Sequence, residues 1–219
     1  MNDGRMQSFF TKVYTWMFIG LLVSGAVAYI TSINTALFSI LVSGFWLIII
    51  AELGLVIAIS ALIKKISPTV AKVLYLLYSA VNGFTLASIF MVYKLDSIVF
   101  VFLSTAILFA ALALYGYTTK NDLTGFGKIL LAGLIAIIIM SIVNIFTGGN
   151  TLGVIISIIS VVIFSGLTAY DMQKLKNLYN YYASDDTMVD RIAIYGALDL
   201  YLDFINIFIK LLRLFGKRK

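Results

Sequence analysis

The chain has 219 residues, of which 62% are hydrophobic and only 12% are charged, and sixteen Lys and Arg against ten Asp and Glu give a net charge of +6. Since an average soluble domain has about 25% charged residues, this composition predicts an integral membrane protein whose basic excess reflects loop topology and not nucleic-acid binding. Cysteine and histidine are both absent, which excludes disulfides, thiolate and imidazole catalysis, haem ligation and the usual zinc sites; no cofactor is expected, and any metal should be an oxygen-liganded cation such as calcium.

Seven apolar runs are long enough to cross a lipid bilayer. The predicted spans are 13–30, 37–63, 70–93, 97–117, 127–146, 152–171 and 192–215. The first run is long for a signal peptide, so we interpret it as a true span. The connections are predicted to be short, except for the stretch from Asp171 to Arg191, and residues 1–219 are expected to form one membrane domain.

The distribution of basic residues predicts the orientation, because Lys and Arg are retained on the cytoplasmic side. The N-terminal lead and every second connection contain Arg5, Lys12, Lys64, Lys65, Lys72, Lys120, Lys128, Lys174, Lys176 and Arg191, whereas the other connections contain only Lys94. This asymmetry predicts a cytoplasmic N-terminus. The last segment and tail add Lys210, Arg213, Lys217, Arg218 and Lys219. Seven full spans would place this tail outside, so either the tail is an exception or the last segment does not cross fully.

A short internal match links the third and sixth spans. Asn82-Gly83-Phe84-Thr85 and Ser165-Gly166-Leu167-Thr168 share a pattern, with the glycines 83 residues apart. The same offset superposes spans one and two on spans four and five, as in an inverted repeat. A chance match is the other interpretation, because glycine and threonine are ordinary packing residues in membrane helices.

Polar residues follow one face of the last span, and they are Asp199, Asp203, Asn206, Lys210 and Arg213. Their spacings of four and three place them on one side of a helix. Asp203 lies about 18 Å along that helix from Arg191, at a depth where an isolated carboxylate is costly. Asp199 and Asp203 are therefore candidates for function, with structural hydrogen bonding or ion pairing as the alternative.

Asp171 ends the sixth span and is followed one turn later by Lys174, so a solvated or lysine-paired aspartate at the interface is its simplest interpretation. Burial raises the pKa of a carboxyl group, and a second carboxylate raises it further. If Asp171 approaches Asp203 across the contact between the last two spans, the pair could share a proton and sense pH in a chain without histidine. Deprotonated, the same oxygens could bind calcium.

Three further groups of polar residues have open assignments. Glu52 is a lone acid in the second span, and it either lines a pathway or meets a polar group on another helix. Asn206, like other membrane asparagines, more often bonds between helices than binds a ligand. Lys64 and Lys65 are most simply the basic stop that ends the second span.

The run from Ala197 to Arg213, ALDLYLDFINIFIKLLR, preceded by FSGLTAYD ending at Asp171, resembles the signature of the Bax inhibitor-1 (transmembrane Bax-inhibitor-motif) family, closest to its bacterial branch. Residues 82–86 of the third span and Glu52 also fit. The resemblance implies an all-α membrane protein with two three-helix layers around a central C-terminal helix.

The resemblance also implies a pH-dependent calcium leak, in which Asp171 and Asp203 match the paired aspartates of the family's pH sensor. In some relatives a basic residue at the end of the second span latches onto these aspartates. Lys64 and Lys65 occupy that end here as the candidate latch, although lysine cannot make the bidentate contact of arginine.

The leading hypothesis is a calcium leak channel or transporter of a bacterial inner membrane, gated by protonation of Asp171 and Asp203, with Asp199, Glu52 and Asn206 as candidate pore or network residues. Its partners would be calcium ions, protons and the lipid bilayer. The alternative is a non-transporting regulator that binds a membrane-anchored protease. No enzymatic activity is expected. A retinal protein lacks its counter-ion in the third span, and an intramembrane hydrolase lacks a base.

Overall fold

The computed structural model of the protein describes residues 2–219, with side chains from Gly4 onward, and this part of the chain contains seven α-helices and no β-strand. They are α1 (Asn2–Ile33), α2 (Thr35–Leu62), α3 (Pro68–Val92), α4 (Leu95–Thr118), α5 (Thr124–Thr147), α6 (Asn150–Tyr182) and α7 (Asp186–Phe215). All seven are long and apolar enough to cross a membrane. The predicted all-α membrane fold with seven spans is therefore confirmed.

Local sequence signals explain where several helices begin and end. The Asn34 side chain accepts hydrogen bonds from two backbone N–H groups in the first turn of α2, and the Ser67 hydroxyl accepts one from the first turn of α3. Pro68 follows at the first position of α3, where its missing N–H costs nothing. Gly148 ends α5 with φ of 65°, a left-handed conformation that glycine adopts without strain.

The stretch from Asp171 to Arg191, predicted as the one long connection, is mostly helical. Helix α6 continues to Tyr182 and α7 begins at Asp186, so only residues 183–185 separate them. The Asp185 carboxylate caps α7 by accepting the N–H of Met188 at 3.0 Å. Asp171 therefore lies about three turns before the end of α6 and not at its last residue.

Two contacts within the first unit give the direction of α7. At its start, Asp186 forms an ion pair of 2.7 Å with Arg5 at the beginning of α1. Beyond its end, the Lys219 N–H donates to the carbonyl oxygen of Val92 at the end of α3 at 3.0 Å. Because α1 and α3 are separated by one intervening helix, they run in the same direction, and α7 runs with them. The last segment does not turn back, and the side of the membrane on which the basic tail lies stays a prediction.

The chain forms two compact units. The first unit contains residues up to Tyr93, Leu178–Tyr201 and Lys219, and the second contains Lys94–Asn177 and Leu202–Arg218. Each unit therefore holds three complete or nearly complete helices, with α1 to α3 in the first and α4 to α6 in the second. Helix α7 contributes to the first unit up to Tyr201 and to the second unit from Leu202 onward.

The first unit is built on close contact between α1 and α3. A Cβ added to Gly83 of α3 would lie 2.7 Å from the carbonyl oxygen of Ser24 of α1, and a Cβ at Gly20 would overlap the Tyr75 hydroxyl. The buried ring of Tyr201 from α7 packs edge-to-face against Tyr75, with ring centroids 6.2 Å apart. Small residues on α1 and α3 thus make room for a large aromatic residue on α7.

The second unit combines an aromatic cluster with glycine contacts. Phe204 of α7 packs edge-on against Phe102 and Phe109 of α4, with centroids 5.1 and 5.6 Å away. Gly116 of α4 lies so close to the backbone of Ala169 in α6 that a Cβ would overlap it. Helices α4, α6 and α7 are thereby fixed to one another within this unit.

The two glycines of the internal match have different packing partners. Gly83 lies against Ser24 of α1, whereas a Cβ at Gly166 would meet the side chain of Leu130 in α5 at 2.7 Å. If α1 to α3 corresponded to α4 to α6, Gly166 would be expected to face α4. The division into two three-helix groups agrees with a repeat, but this motif does not have equivalent surroundings in the two groups, and the repeat stays a prediction.

Replacement of Gly83 tests the α1 and α3 contact. A methyl group there meets backbone atoms, which cannot rotate away, so we expect Gly83→Ala to lower the free energy of unfolding by about 1–3 kcal/mol. Thermal unfolding in detergent micelles measures this as a fall in Tm of several degrees. Gly25→Ala is the control, because a Cβ there meets nothing within 4 Å. Equal Tm values for the two variants would contradict the packing described.

Candidate functional site

The two aspartates predicted as a pair, Asp171 and Asp203, both lie in the second unit. Their exposed fractions are 9% and 4%, so both are buried. Asp171 is therefore not a solvated residue of the membrane surface. Burial of two ionisable groups in a membrane helix bundle costs free energy, and such residues are usually functional. Asp171 and Asp203 are therefore the principal candidate site.

The packing of α6 on α7 places both aspartates near the same apolar cluster. Leu167 of α6 and Ile207 of α7 belong to one buried cluster. Asp171 follows Leu167 by four residues, and Asp203 precedes Ile207 by four, so each aspartate shares a helix face with its cluster residue. Both acids therefore lie one helical turn from this cluster in the second unit.

Tight contacts fix the backbone on either side of these acids. Tyr170, next to Asp171, has its ring against Gly127 of α5, where a Cβ would overlap it. Phe204, next to Asp203, packs against the phenylalanines of α4. These neighbours leave little room for either helix to shift, so the two carboxyl groups are held in a preorganised arrangement.

Lys174 supplies positive charge beside Asp171. Its Nζ lies 3.3 Å from Asp171 Oδ1, and the two side chains are 30% and 13% exposed. This contact agrees with the lysine pairing considered from the sequence, but it occurs in a largely buried setting. A half-buried ammonium at this distance stabilises the ionised carboxylate and would compete with any cation that binds the same oxygen.

The arrangement does not form a closed metal cage. Among the residues whose side chains are described, no group of three or more Asp, Glu, His or Cys is close enough to hold a metal ion. Calcium usually takes six to eight oxygen ligands. Asp171 and Asp203 with carbonyl oxygens or water would therefore suit a passing cation better than a resident one.

The other polar residues of the last span separate into different environments. Asp199 is half-buried and belongs to the first unit, although it lies one turn before Asp203. The Asn206 amide donates to the carbonyl oxygen of Leu202 in its own helix at 2.8 Å. The stripe predicted as one face is thus divided, and Asn206 is engaged within α7.

Glu52 lies in a hydrogen-bonded network of the first unit. Thr85 of α3 donates to Glu52 Oε1 at 2.5 Å, and Asn82 of α3 lies near the same side chain. Asn82 Oδ1 also accepts a bond of 2.8 Å from the hydroxyl of Tyr201 in α7. These contacts match the interpretation in which Glu52 meets polar groups on another helix.

Ser24 and Tyr201 complete this network and were not singled out from the sequence. The Ser24 hydroxyl lies 2.6 Å from the Tyr201 hydroxyl and 2.7 Å from the carbonyl oxygen of Ser79. Tyr201 is fully buried. The position of Tyr201 far from the ends of a span could have indicated this network. Tyrosines of membrane proteins concentrate at the interfaces unless the hydroxyl finds a polar partner.

The candidate latch residues, Lys64 and Lys65, are exposed at the end of α2. The Lys64 ammonium lies 6.0 Å from the centroid of the Tyr182 ring. Arg191 of α7 donates to the Lys64 carbonyl oxygen at 2.8 Å. This end of α2 is therefore joined to α7 through a backbone contact made by an arginine.

Comparison with known proteins adds independent findings. The sequence profile of the family described as "Inhibitor of apoptosis-promoting Bax1" matches residues 6–219. The "Inner membrane protein YbhL" of Escherichia coli (strain K12) is 46% identical over 218 residues, covering 98% of this chain and 93% of the relative. A Borreliella burgdorferi protein is 47% identical over 214 residues, covering 96% and 92%. A Streptococcus pyogenes membrane protein is 39% identical over 221 residues, covering 99% and 95%.

Removal of the Tyr201 hydroxyl tests the network of the first unit. Tyr201→Phe keeps the ring packing but leaves Asn82 Oδ1 without its donor, so we expect a loss of about 0.5–2 kcal/mol in unfolding free energy. The measurement is the Tm in detergent micelles. Tyr181→Phe removes the same group from a side chain that is 80% exposed and should leave the Tm unchanged. A Tyr201→Phe variant as stable as this control would show that the buried hydrogen bonds contribute nothing.

Proposed function

The chain belongs to the Bax inhibitor-1 family of membrane proteins, and from this premise we propose that it is a calcium-permeable leak channel or transporter gated by protonation of Asp171 and Asp203. The observation that carries the proposal is the burial of both aspartates in the second unit, each one helical turn from the same apolar cluster. Carboxylate oxygens are the ligands that calcium prefers. The chain has no histidine or cysteine, which are the usual ligands of zinc and softer metal ions. No enzymatic activity is proposed.

Protonation offers a physical route to gating. Two neighbouring carboxylates withdrawn from water repel one another when both are ionised, so they tend to share a proton or a cation. A proton on the pair removes its attraction for calcium, whereas loss of that proton restores it. The ammonium of Lys174, 3.3 Å from Asp171, would occupy one carboxylate in the absence of calcium. We assign the cationic partner of Asp171 to Lys174 and not to the lysines that end α2.

The membrane and the orientation are part of the proposal. The chain is a multi-pass membrane protein, and the relative from Escherichia coli is named an inner membrane protein. We place this chain in a bacterial inner membrane with its N-terminus in the cytoplasm, because basic residues concentrate in the lead and in alternate connections. The start of α7 would then face the cytoplasm, and the basic tail would lie on the opposite side.

Amide substitution of the two aspartates tests the gating step. In liposomes loaded with a calcium-sensitive dye, we expect the wild-type flux to change with pH. Asparagine resembles a permanently protonated aspartic acid, so Asp171→Asn and Asp203→Asn should each give a flux that no longer varies with pH and stays at the wild-type level of low pH. The exposed loop residue Asp122 provides the control, and Asp122→Asn should retain the wild-type pH profile.

The same assay separates transport from the alternative function. A pH profile that is unchanged in both variants would contradict gating by the pair, even if calcium passes. Flux no greater than in protein-free liposomes at every pH would contradict transport itself. The regulator of a membrane protease would then be the hypothesis to pursue. Unfolding curves of each variant establish that the fold is retained.

A further inference from the structure

Basic side chains converge at one end of the second unit, where α7 finishes and where α4 and α6 begin; we call this the tail end. The backbone defines it, because the Lys94 N–H before α4 donates to the Lys217 carbonyl oxygen at 3.0 Å and the Lys217 N–H donates to Ser97 Oγ at 2.9 Å. The cations of this region are Lys94, Lys210, Arg213, Lys217 and Arg218, whereas Asp96 in the first turn of α4 is its acid. The tail end is therefore strongly positive.

Two of these cations, Lys210 and Arg213, are partly buried on the same face of α7. They are three residues apart and close enough for their charges to repel. Of the ion pairs found among residues 4–219, none includes either side chain. Two like charges that are partly removed from water and form no ion pair are unfavourable unless an anion binds beside them.

The position of the Arg213 guanidinium strengthens this argument. It lies against Gly153, in the first turn of α6, so closely that a Cβ on residue 153 would overlap it. The beginning of a helix carries partial positive charge and exposes unbonded N–H groups. A guanidinium is disfavoured there by itself, whereas an anion bound beside both would interact favourably with each.

The surroundings indicate which anion fits. Arg213 and Lys210 lie about 3 and 8 Å along the helix axis before Phe215, the last residue of α7, which is a depth appropriate to lipid phosphates at a membrane surface. Phe215 and Phe146 are exposed by 71% and 84%, and Val154 by 38%. Cations beside exposed apolar side chains match a molecule with a phosphate and acyl chains better than they match free phosphate.

We propose that Lys210 and Arg213 bind the headgroup phosphate of an anionic phospholipid at the tail end of the second unit, with Gly153 leaving room for the guanidinium at the start of α6. The guanidinium can donate two parallel hydrogen bonds to phosphate oxygens. The lysine ammonium supplies a second charge one turn earlier. This site is independent of the proposed calcium permeation, because it involves neither Asp171 nor Asp203.

Lipid binding to the purified full-length chain tests the site. The probe is phosphatidylglycerol titrated into phosphatidylcholine nanodiscs, with bound lipid counted by native mass spectrometry. Each cation near an anionic headgroup contributes about a fivefold change in affinity, so the double variant Lys210→Gln, Arg213→Gln should bind about thirtyfold more weakly. The double variant Lys120→Gln, Lys128→Gln removes the same charge from exposed positions in another connection and should bind as the wild type does.

A second pair of variants keeps the test valid if the charge variant folds poorly. Gly153→Ala leaves the net charge unchanged but displaces the guanidinium, so it should also weaken phosphatidylglycerol binding. Gly125→Ala is its control, since a Cβ there meets nothing within 4 Å. Wild-type affinity in both the charge variant and Gly153→Ala would overturn the site. Full competition by inorganic phosphate would show that the occupant is a soluble anion and overturn the assignment to lipid.

Discussion

The structure depends on one constraint, which is that polar and ionisable side chains in a membrane helix must find their partners within the protein. Helix α7 carries two carboxyl groups and an amide within its apolar run, and 72% of its most apolar stretch is buried, against 6% for α2 and 11% for α5. The predominantly apolar α2 and α5 can face lipid, whereas the helix with Asp199, Asp203 and Asn206 cannot. The burial of α7 therefore follows from its sequence. The same burial determines which residues of the neighbouring helices must be small.

The two units satisfy this constraint by different means. In the first unit, Ser24, Asn82 and Tyr201 form direct hydrogen bonds that join α1, α3 and α7, and Thr85 supplies a donor to Glu52. Hydroxyl and amide groups do not change their charge near neutral pH, so most hydrogen bonds of this network do not depend on pH there. In the second unit, the buried groups of α6 and α7 include carboxyl groups and an ammonium, whose charges depend on protonation. The first unit therefore holds α7 mainly through neutral groups, whereas the second contains the buried carboxyl groups.

The sequence predicted the features that depend on composition along one helix. Seven spans and the depth of Asp203 could be recognised because apolar length and position along a helix are local properties, whereas the pairing of Asp171 with Asp203 was implied by the resemblance and stays a prediction. The extensions of α6 to Tyr182 and of α7 back to Asp186 were missed because they contain charged residues, and hydropathy alone does not detect a helix that continues beyond the bilayer. The partners of Tyr201 could not be predicted, since Ser24 is 177 residues away and only the tertiary fold brings them together.

Helix α7 is divided between the two units after Tyr201, and this division separates the polar residues along one of its faces. Asp199 and Asp203 are neighbours on one helix face, yet Tyr201 between them is held in the first unit while Asp203 is buried in the second. A charge change at Asp203 therefore acts on a helix whose preceding turn is fixed by buried hydrogen bonds. A displacement of α7 is then least costly in the residues that follow Tyr201. Those residues end in the basic tail, whose backbone is hydrogen-bonded to the start of α4 in the same unit, so Asp203 and the tail belong to one short segment of the chain.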